Sequence, residues 1–513
     1  MVPFSIFTSH WALGLGAFFL LSSVYMLAVR KRQRGSVLER FRFPRRRASG
    51  ASTPPRSISP GTPKETKGCL SSTASSGPDY LNTFPPSCRS ALPKLAKSAT
   101  GENKRILKAA NAPPKDLVKE ALPMLSPYSE SRSRKYTPTG LSTDELRAIG
   151  DFPAYDVLSG VPLPSPYKTF DPVKALPRPY RPFRWNYHQT MSFTKMETDW
   201  WLEIDNSYVS IIKKRQALFR EYGNKVLDFM PGSELVCKEL MEMCLQFYCA
   251  RYPTYFSLSA DKKIFHNNLL KTETDIKSIP PLHVLLDNVP EDFAIVLRNE
   301  KDGMYYMRAG VICSSLGWNV STKIGLQLRD IHSPIPDYKE KMQFSMDRYF
   351  SKMPTHAPIQ RGSWGLEVGT PLFMPPGDPH EKLRESQDED LQLADCNLRV
   401  DWQTLRRLPL SGGIVFNFTA LFTPVVEFRD EPYVPALLLK ILKEGKKSLM
   451  EYKNTWHVEH VVVPALEAYA REQVEKGLVT PEHEGDEAWS ERTLDESPYF
   501  PGWEQKWHRQ QGY

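Results

Sequence analysis

An uncharged run near the N-terminus, from Trp11 to Val29, most constrains how this chain can fold. With the largely apolar segment Val2 to Phe7 before it, the run is long enough to span the hydrocarbon core of a bilayer as one helix. A cleaved secretory signal would want a basic segment before a shorter apolar core and a small-residue cleavage site, and none of these is clear. The sequence therefore predicts one transmembrane anchor over residues 1–29.

The charges that flank this run indicate which side of the membrane the chain occupies. No Lys or Arg precedes the run, whereas Arg30, Lys31, Arg32 and Arg34 follow it directly. The positive-inside rule then places the C-terminal domain in the cytosol. The 7 cysteines form no CxxC pair and no even framework, which is consistent with a reducing compartment. We therefore expect a single-pass membrane protein, with the endoplasmic reticulum as its membrane.

The next segment, residues 30–160, has the composition of a disordered linker. It is rich in Ser, Pro, Thr, Lys and Arg and shows no sustained helical or strand period, so it cannot bury enough apolar surface to fold alone. The formal net charge of +8 is concentrated here and next to the anchor, where basic residues suit an anionic membrane leaflet. Because no DNA- or RNA-binding motif accompanies the charge, nucleic acid is not an expected partner.

Residues 161–480 carry the patterns of one α+β domain, which opens with an extended arm rich in Pro and aromatic residues. Helical patterns predict five helices: residues 196–222, 233–252 with Ser233 as N-cap, 340–352, 434–451 and 458–475. Short runs of β-branched and aromatic residues predict strands: residues 292–299, 303–315 and 412–422. We expect a sheet of short strands with helices on it. The acidic, aromatic tail, residues 481–513, carries no pattern that indicates a function.

The usual signatures of nucleotide-binding and hydrolytic enzymes are absent. The chain has no GxxxxGK[ST] loop and no GxGxxG motif, since its Gly14-Leu15-Gly16 triplet lies inside the apolar run. It has no GxSxG and no HExxH motif. His457 and His460 form an HxxH pair at a predicted helix start, and a polar helix terminus explains this pair better than a metal site does.

One histidine, His332, stands in an unusual setting within the segment RDIHSPIP. Pro334 and Pro336 are expected to hold the chain extended just after the imidazole and to limit its freedom. A rigid imidazole between Ile331 and Ile335 suits an axial haem ligand, because an apolar wall suits the porphyrin and a neutral ring nitrogen suits iron. From spacing alone, an ordinary partly buried histidine is the favoured alternative.

Several sequence blocks resemble the α-subunit of haem-dependent oxidative N-demethylase. They are Trp200–Asp205, Val289–Phe293, Lys323–Gly325 with Ile331–Pro336, Gln360–Trp364, Leu398–Val400 and Gln403–Pro409. They occur in that family's order and cover residues 183–478. The resemblance implies a PAS-like antiparallel sheet domain, with surrounding helices, that binds haem b. In the bacterial enzyme dimethylamine is oxidised to methylamine and formaldehyde, with NADPH electrons delivered by a flavin and iron–sulfur partner subunit.

The resemblance also nominates residues for the cofactor. The place of His332 in a matched block makes it the candidate axial ligand, with His283, His356 and His266 next in line. Three arginines are candidates for pairing with the haem propionates, since guanidinium binds carboxylate bidentately: Arg361, Arg406 and Arg407. A surface or structural ion pair is the alternative for each of them.

Two adjacent carboxylates, Glu291 and Asp292, precede a predicted strand and are candidate catalytic residues. They would deliver a proton to bound oxygen or hold an ammonium substrate. A cap at the entry of the strand is the alternative role.

The sequence thus predicts a membrane-anchored, haem-dependent oxygenase-like protein that N-demethylates or hydroxylates a small amine or metabolite. Nothing in the chain resembles a flavin or iron–sulfur reductase, so the electrons would come from a separate NADPH-dependent reductase. The principal alternative is a non-catalytic haem sensor or binding protein, because a shared fold does not establish turnover. A haem-free scaffold is a third possibility.

Overall fold

A computed structural model describes residue 146 and residues 148–184, 191–299, 302–479 and 499–513. The predicted anchor, nearly all of the predicted linker and residues 480–498 lie outside this part. Among the described residues, no helix combines the length and the apolar character that a membrane crossing needs. The anchor, its orientation and the membrane therefore stay predictions.

A seven-stranded antiparallel sheet forms the centre of the described structure, in the order β1-β8-β9-β10-β6-β7-β2. Its strands are β1 (Thr194–Lys195), β2 (Leu227–Phe229), β6 (Asp292–Arg298), β7 (Tyr305–Val311), β8 (Ile359–Val368), β9 (Cys396–Arg407) and β10 (Ile414–Pro424). Strands β3 (Phe256–Leu258), β4 (Ile264–Asn267) and β5 (Thr272–Asp275) form a second antiparallel sheet. The predicted mixture of helices and antiparallel sheet is confirmed, while the sheet gives no support of its own to the narrower PAS-like description.

Eleven α-helices surround these sheets in the described part of the chain. They are α1 (Tyr155–Ser159), α2 (Tyr208–Tyr222), α3 (Glu234–Arg251), α4 (Pro281–Asn288), α5 (Val320–Lys323), α6 (Leu328–Ile331), α7 (Gln343–Lys352), α8 (Val434–Glu444), α9 (Lys447–Lys453), α10 (Trp456–Glu475) and α11 (Trp503–Gln510). Helices α2, α3 and α4 contribute to one hydrophobic core, α8 and α10 to a second, and α6 and α7 to a third. The sheet contributes side chains to all three cores.

Several predicted helices begin or end at other residues than the pattern indicated. The helix predicted from residue 196 begins only at Tyr208, because Asp205 accepts hydrogen bonds from the backbone and side chain of Ser207 and so forms a turn. Ser233 precedes α3 without capping it through its side chain, since its hydroxyl donates to the Met230 carbonyl. The helix predicted over residues 434–451 is divided at Gly445 into α8 and α9.

Strands β8 and β9 were missing from the predicted set, although they pair over ten residues each beside β10. Strand β9 carries charged residues such as Arg399, Asp401 and Arg406 among its apolar residues. Apolar and polar residues alternate from Leu398 to Gln403, as in a half-buried strand, but the segment has no continuous run of β-branched and aromatic residues like those that predicted the other strands. Strands β6, β7 and β10 were predicted correctly to within a few residues.

Candidate functional site

The register of the large sheet assigns each strand residue to one of two faces. Ile359, Leu405 and Phe416 lie opposite one another on β8, β9 and β10 and therefore share one face. Ile331 and Ile335, on either side of His332, pack with this same group of side chains. We call this side of the sheet the His332 face.

The opposite face carries the residues that alternate with these along the strands. Trp402 on β9 lies opposite Thr419 on β10, and both line a cavity that Glu291 also lines. We call this side the Glu291 face. Because neighbouring residues of a strand point to opposite sides, the two faces are separated by the thickness of the sheet.

His332 lies directly after α6 and is half-buried. Its Nδ1 lies 2.7 Å from the carbonyl oxygen of Leu328, and its ring stacks on that of Tyr338 with centroids 5.4 Å apart. A carbonyl oxygen accepts hydrogen bonds only, so Nδ1 donates and the lone pair of the neutral ring is on Nε2. This is the arrangement usual for metal-binding histidines, whose other ring nitrogen donates to a carbonyl or carboxylate.

The segment after His332 is not extended, contrary to the prediction. The amide of Ile335 donates to the His332 carbonyl at 2.9 Å, and the amide of Tyr338 donates to the Ile335 carbonyl at 3.2 Å. Pro336 therefore occupies a corner of the second turn, a position for which its fixed φ is well suited. These turns bring Tyr338 back onto the imidazole.

The surroundings of His332 keep its ring neutral. Burial lowers the pKa of His332 to about 4, with smaller contributions from the positive charges of Arg361 and Lys323. The Leu328 carbonyl opposes this shift in pKa. A neutral imidazole with a lone pair on Nε2 is the form that binds iron.

Several apolar side chains of the His332 face are only partly buried in the described structure. Phe416 is only half-buried, although β10 is hydrogen-bonded on both sides. Ala294, Trp318, Ile331 and Ile335 are also only partly buried around the same cluster. A planar apolar group suits such partly buried apolar side chains, and His332 would supply a nitrogen ligand, so the residues present fit a haem.

The structure brings only one of the three candidate arginines to His332. Arg361 lies opposite Gln403, which lies opposite Phe418, so its strand position belongs to the His332 face. It is half-buried, and its charge acts on the imidazole of His332.

The other two arginines are used elsewhere in the fold. Arg407 donates from Nε to the Met353 carbonyl at 2.6 Å and also to Phe350, Gly412 and the hydroxyl of Tyr305. Arg406 lies over the ring of Trp201 at 4.0 Å, in the core behind the opposite face, where burial lowers its pKa to about 10. The charge of Arg361 acts on the pKa of His332, whereas the guanidinium groups of Arg406 and Arg407 have other partners.

Glu291 and Asp292 do not form a pair beside His332. Asp292 binds Arg215 in an ion pair in which both side chains are about 1% exposed, and it also accepts from the amide of Cys313 at 2.9 Å. Burial raises the pKa of Glu291 to about 8, and its side chain lines the cavity of the opposite face.

The remaining histidine candidates have settings that do not resemble that of His332. His356 is exposed, His266 lies beside Glu273 on the small sheet, and His283 packs edge-on to Phe219. His457 lies in the first turn of α10, as expected of a helix terminus. In the part of the chain that the structure describes, no group of three His, Cys, Asp or Glu could hold a metal ion.

Sequence reasoning missed Lys453, which lies at the end of α9 beside β8. Its Nζ donates to the Trp364 carbonyl at 2.7 Å and lies 4.4 Å from the centroid of the Trp364 ring. Burial lowers its pKa to about 7, assisted by the charge of Arg361. A lysine near a helix end gives no signal in sequence that distinguishes it from a surface residue.

A family model described as haem-dependent oxidative N-demethylase, alpha subunit-like, matches residues 192–463, more than half of the 513-residue chain. The match includes His332, Arg361 and the sheet, but neither the N-terminal arm nor the tail. The family description indicates haem dependence and an oxidative N-demethylase-like function in general. The chain therefore belongs to the haem-dependent oxidative N-demethylase α-subunit-like family.

Proposed function

We propose that this protein is a haem-dependent monooxygenase that oxidatively N-demethylates a small amine, with haem b bound on the His332 face. The observation that carries the proposal is the hydrogen bond from Nδ1 of His332 to the Leu328 carbonyl. It fixes the tautomer and the ring orientation, as the second partner of a metal-binding histidine does. His332 would then hold the haem iron through Nε2.

Three further features support a haem on this side of the sheet. Partly buried apolar side chains, including Phe416 and Trp318, provide walls for a porphyrin. Arg361 supplies a positive charge on the same face, suited to a propionate. The ring of Tyr338 packs on the imidazole and would keep it from rotating.

When bound, the haem would supply the oxygen chemistry, and hydroxylation of an N-methyl carbon gives a carbinolamine that collapses to amine and formaldehyde. The residues of this chain would hold the haem, orient its axial ligand and exclude water. Proton delivery is not assigned to Asp292, because Arg215 and the Cys313 amide occupy its carboxylate. It is not assigned to Glu291 either, because that side chain lines the opposite face.

The electrons would come from a separate NADPH-dependent reductase, as the resemblance implies. With an anchor over residues 1–29 and basic residues after it, the catalytic domain would face the cytosol at the endoplasmic reticulum membrane. Membrane and reductase would then be the partners of the protein, with a small amine or metabolite as substrate.

The function is tested by measuring products. Full-length protein, purified in detergent and supplied with a reductase, should release formaldehyde from a secondary-amine panel in step with NADPH use. His332→Ala should release none, whereas His356→Ala, which changes an exposed histidine, should match the wild type. Haem-loaded wild-type protein that yields no formaldehyde or hydroxylated product across the panel would contradict an enzyme and favour a haem sensor.

A further inference from the structure

The cavity on the Glu291 face encloses about 740 Å³ of space, its open mouth included. Tyr252, Glu291 and Trp402 line it from within the family-matched region, and Tyr180 and Trp507 line it from segments outside that region. The cavity is therefore completed by parts of the chain that the family match does not include.

The C-terminal tail forms an aromatic wall of this cavity that is held in place. Nε1 of Trp507, on α11, donates to the Leu176 carbonyl at 3.0 Å, and the Leu176 amide donates to the Gln511 side chain at 3.3 Å. Because Trp402 lines the same space from the sheet, aromatic rings face the cavity from two separate parts of the chain. Such walls suit a flat aromatic ligand.

An ion pair in the cavity wall is already complete. Arg178 donates to both carboxylate oxygens of Glu203, at 2.9 and 2.5 Å. Its guanidinium also lies 4.0 Å from the ring centroid of Trp200 and 4.8 Å from that of Trp507. A charged ligand would have to compete with this pair, whereas a neutral ligand leaves it intact.

Glu291 offers a hydrogen-bond donor to the cavity at neutral pH. Burial raises the pKa of Glu291 to about 8, so its carboxyl carries a proton. Its side chain is 1% exposed, and the described side chain that shares a hydrogen bond with it is Tyr248, whose hydroxyl lies 3.4 Å away. That distance is long for two oxygens. A protonated carboxyl with so weak a partner can donate its O–H to a ligand.

Thr419 offers a second donor in the same wall. Its hydroxyl oxygen is buried and has no hydrogen-bond partner among the described residues. Strand β10 pairs with β6 through Phe418 and Asp292, and the next step of this antiparallel register brings Thr419 opposite Glu291. Both residues line the cavity. Two O–H groups therefore lie side by side at the sheet.

Asp205 offers an acceptor to the same space, which it also lines. Ser207 donates to it from its amide at 2.7 Å and from its hydroxyl at 2.5 Å, and both bonds go to Oδ1. Within the described parts of the chain, no hydrogen bond to Oδ2 is present. The cavity thus presents two O–H donors and one carboxylate oxygen.

We propose that this cavity binds a neutral aromatic carboxamide, whose carbonyl oxygen accepts hydrogen bonds from Glu291 and Thr419 and whose ring packs against the aromatic walls. A carboxamide also has N–H groups that can donate to Asp205. An amidinium of the same shape has no acceptor for the two hydroxyls. A carboxylate of the same shape has no donor for Asp205 and is repelled by its charge.

The carboxamide site is separate from the proposed haem site. Trp402 and Thr419 line the cavity, and these residues belong to the face opposite to Phe416 and Arg361. A ligand bound beside Glu291 therefore has the sheet between itself and the His332 face. The inference concerns binding alone and does not rest on haem or on turnover.

Isothermal titration calorimetry of the full-length protein in detergent tests this inference. Benzamide, benzamidine and benzoate have nearly the same shape, and at pH 6.5 they are neutral, positive and negative. Benzamide should bind, and each ion should bind at least about tenfold more weakly, since it lacks part of the hydrogen bonding. Thr419→Val keeps the shape of the side chain and should weaken benzamide binding about fivefold, the change expected for one neutral hydrogen bond.

The proton of Glu291 gives a second measurement, the affinity for benzamide between pH 6 and pH 9.5. Ionised Glu291 cannot donate, so the wild-type affinity should fall above about pH 8, by up to about tenfold per pH unit. Glu291→Gln should still bind benzamide at pH 9.5, because its amide donates at every pH in this range.

Other groups around Glu291 do not account for such a profile. The titratable groups that face it from α2, from α3 and from the residue after α3 have raised pKa values and keep their protons through this range. They are Arg215, Tyr208, Cys244, Tyr248 and Tyr252. Asp205→Asn removes the remaining carboxyl that acts on Glu291 and should retain the fall in affinity.

Two variants control for buried charge elsewhere and for the other face. Glu239→Gln changes another fully buried glutamate, which binds Leu410 and Ser411 and does not line the cavity. Glu239→Gln and His332→Ala should both keep the wild-type affinity and its fall above pH 8.

Four results would each overturn the inference. They are benzamidine or benzoate binding as tightly as benzamide, Thr419→Val binding like the wild type, a wild-type affinity that does not fall above pH 8, and a fall in Glu291→Gln equal to that of the wild type.

Discussion

Glu291 and Asp292 are neighbours in the chain, yet their side chains have separate environments on the two sides of the large sheet. Asp292 lies opposite Phe418 at the start of β6 and is bound by Arg215. Glu291 lines the cavity on the other side and has a weak partner in Tyr248. One of the two carboxyls is therefore structural, and the other faces a ligand-sized space.

Replacement of Asp292 should destabilise the fold. Asp292→Asn leaves the buried guanidinium of Arg215 without its counter-charge, which typically costs about 3–5 kcal/mol in the free energy of unfolding. Urea unfolding of wild type and variant measures the difference. Asp261→Asn, at an exposed pair with Lys263, is the control and should leave the unfolding midpoint unchanged. A variant of Asp292 as stable as that control would show that the ion pair contributes nothing.

Replacement of His332 should remove the haem ligand. Purified wild-type protein should show a Soret band, and His332→Ala should lose haem content or shift the band, because the axial nitrogen is missing. Absorbance spectra and pyridine haemochrome assays on the two proteins measure this. His283→Ala, which changes the histidine beside Phe219, should retain the wild-type spectrum. An unchanged spectrum in His332→Ala would place the ligand elsewhere.

The arginines should differ in their effect on haem retention. Arg361→Gln should speed haem loss by about tenfold, since a charged hydrogen bond to a propionate typically contributes about 1.5–3 kcal/mol. Arg406→Met should leave haem loss unchanged, because Arg406 lies against Trp201 on the opposite side of the sheet. Transfer of haem to apomyoglobin, followed by absorbance, gives both rates. Equal rates in the two variants would contradict the assignment of Arg361.

Glu291 should make stability depend on pH. Its pKa rises from 4.5 in the unfolded chain to about 8 in the folded protein, mainly through burial, with Asp205 raising it and Arg215 and Tyr248 lowering it. The folded state therefore holds the proton more tightly, and stability falls as pH rises from 4.5 to about 8. For one proton the slope is at most about 1.4 kcal/mol per pH unit.

Glu291→Gln removes this contribution because the amide does not titrate. Relative to wild type, the variant should gain stability between pH 5 and pH 8, as measured by urea unfolding at several pH values without added ligand. Other titrating groups, such as Glu239, are present in both proteins and cancel in the difference. Parallel stability curves for the two proteins would show that Glu291 does not carry the proton.

Helices and strands could be predicted from the sequence where the residues within the element itself carry a recognisable local pattern. Helix α3 and strand β10 were predicted within a few residues, α3 from the helix start after Pro231-Gly232 and β10 from its run of apolar, β-branched and aromatic residues. Strand β9 was missed although Leu398, Val400 and Trp402 alternate with polar residues, because it carries Arg399, Asp401 and Arg406 in place of a continuous apolar run. Their charges are compensated by residues far away in the chain, such as the Ser314 carbonyl that Arg399 binds, and local pattern contains no information about such contacts.

The sequence by itself determined the α+β class, the family and the choice of His332, because these depend on short segments and on their order along the chain. Only strand register decided that Arg361 and Arg407 lie on the His332 side of the sheet and Arg406 on the other, since a shift of one residue moves a side chain to the other face. The cavity beside Glu291 also required the tertiary structure. Its walls come from an arm near residue 180 and a tail near residue 507, and only packing brings segments so distant in sequence together.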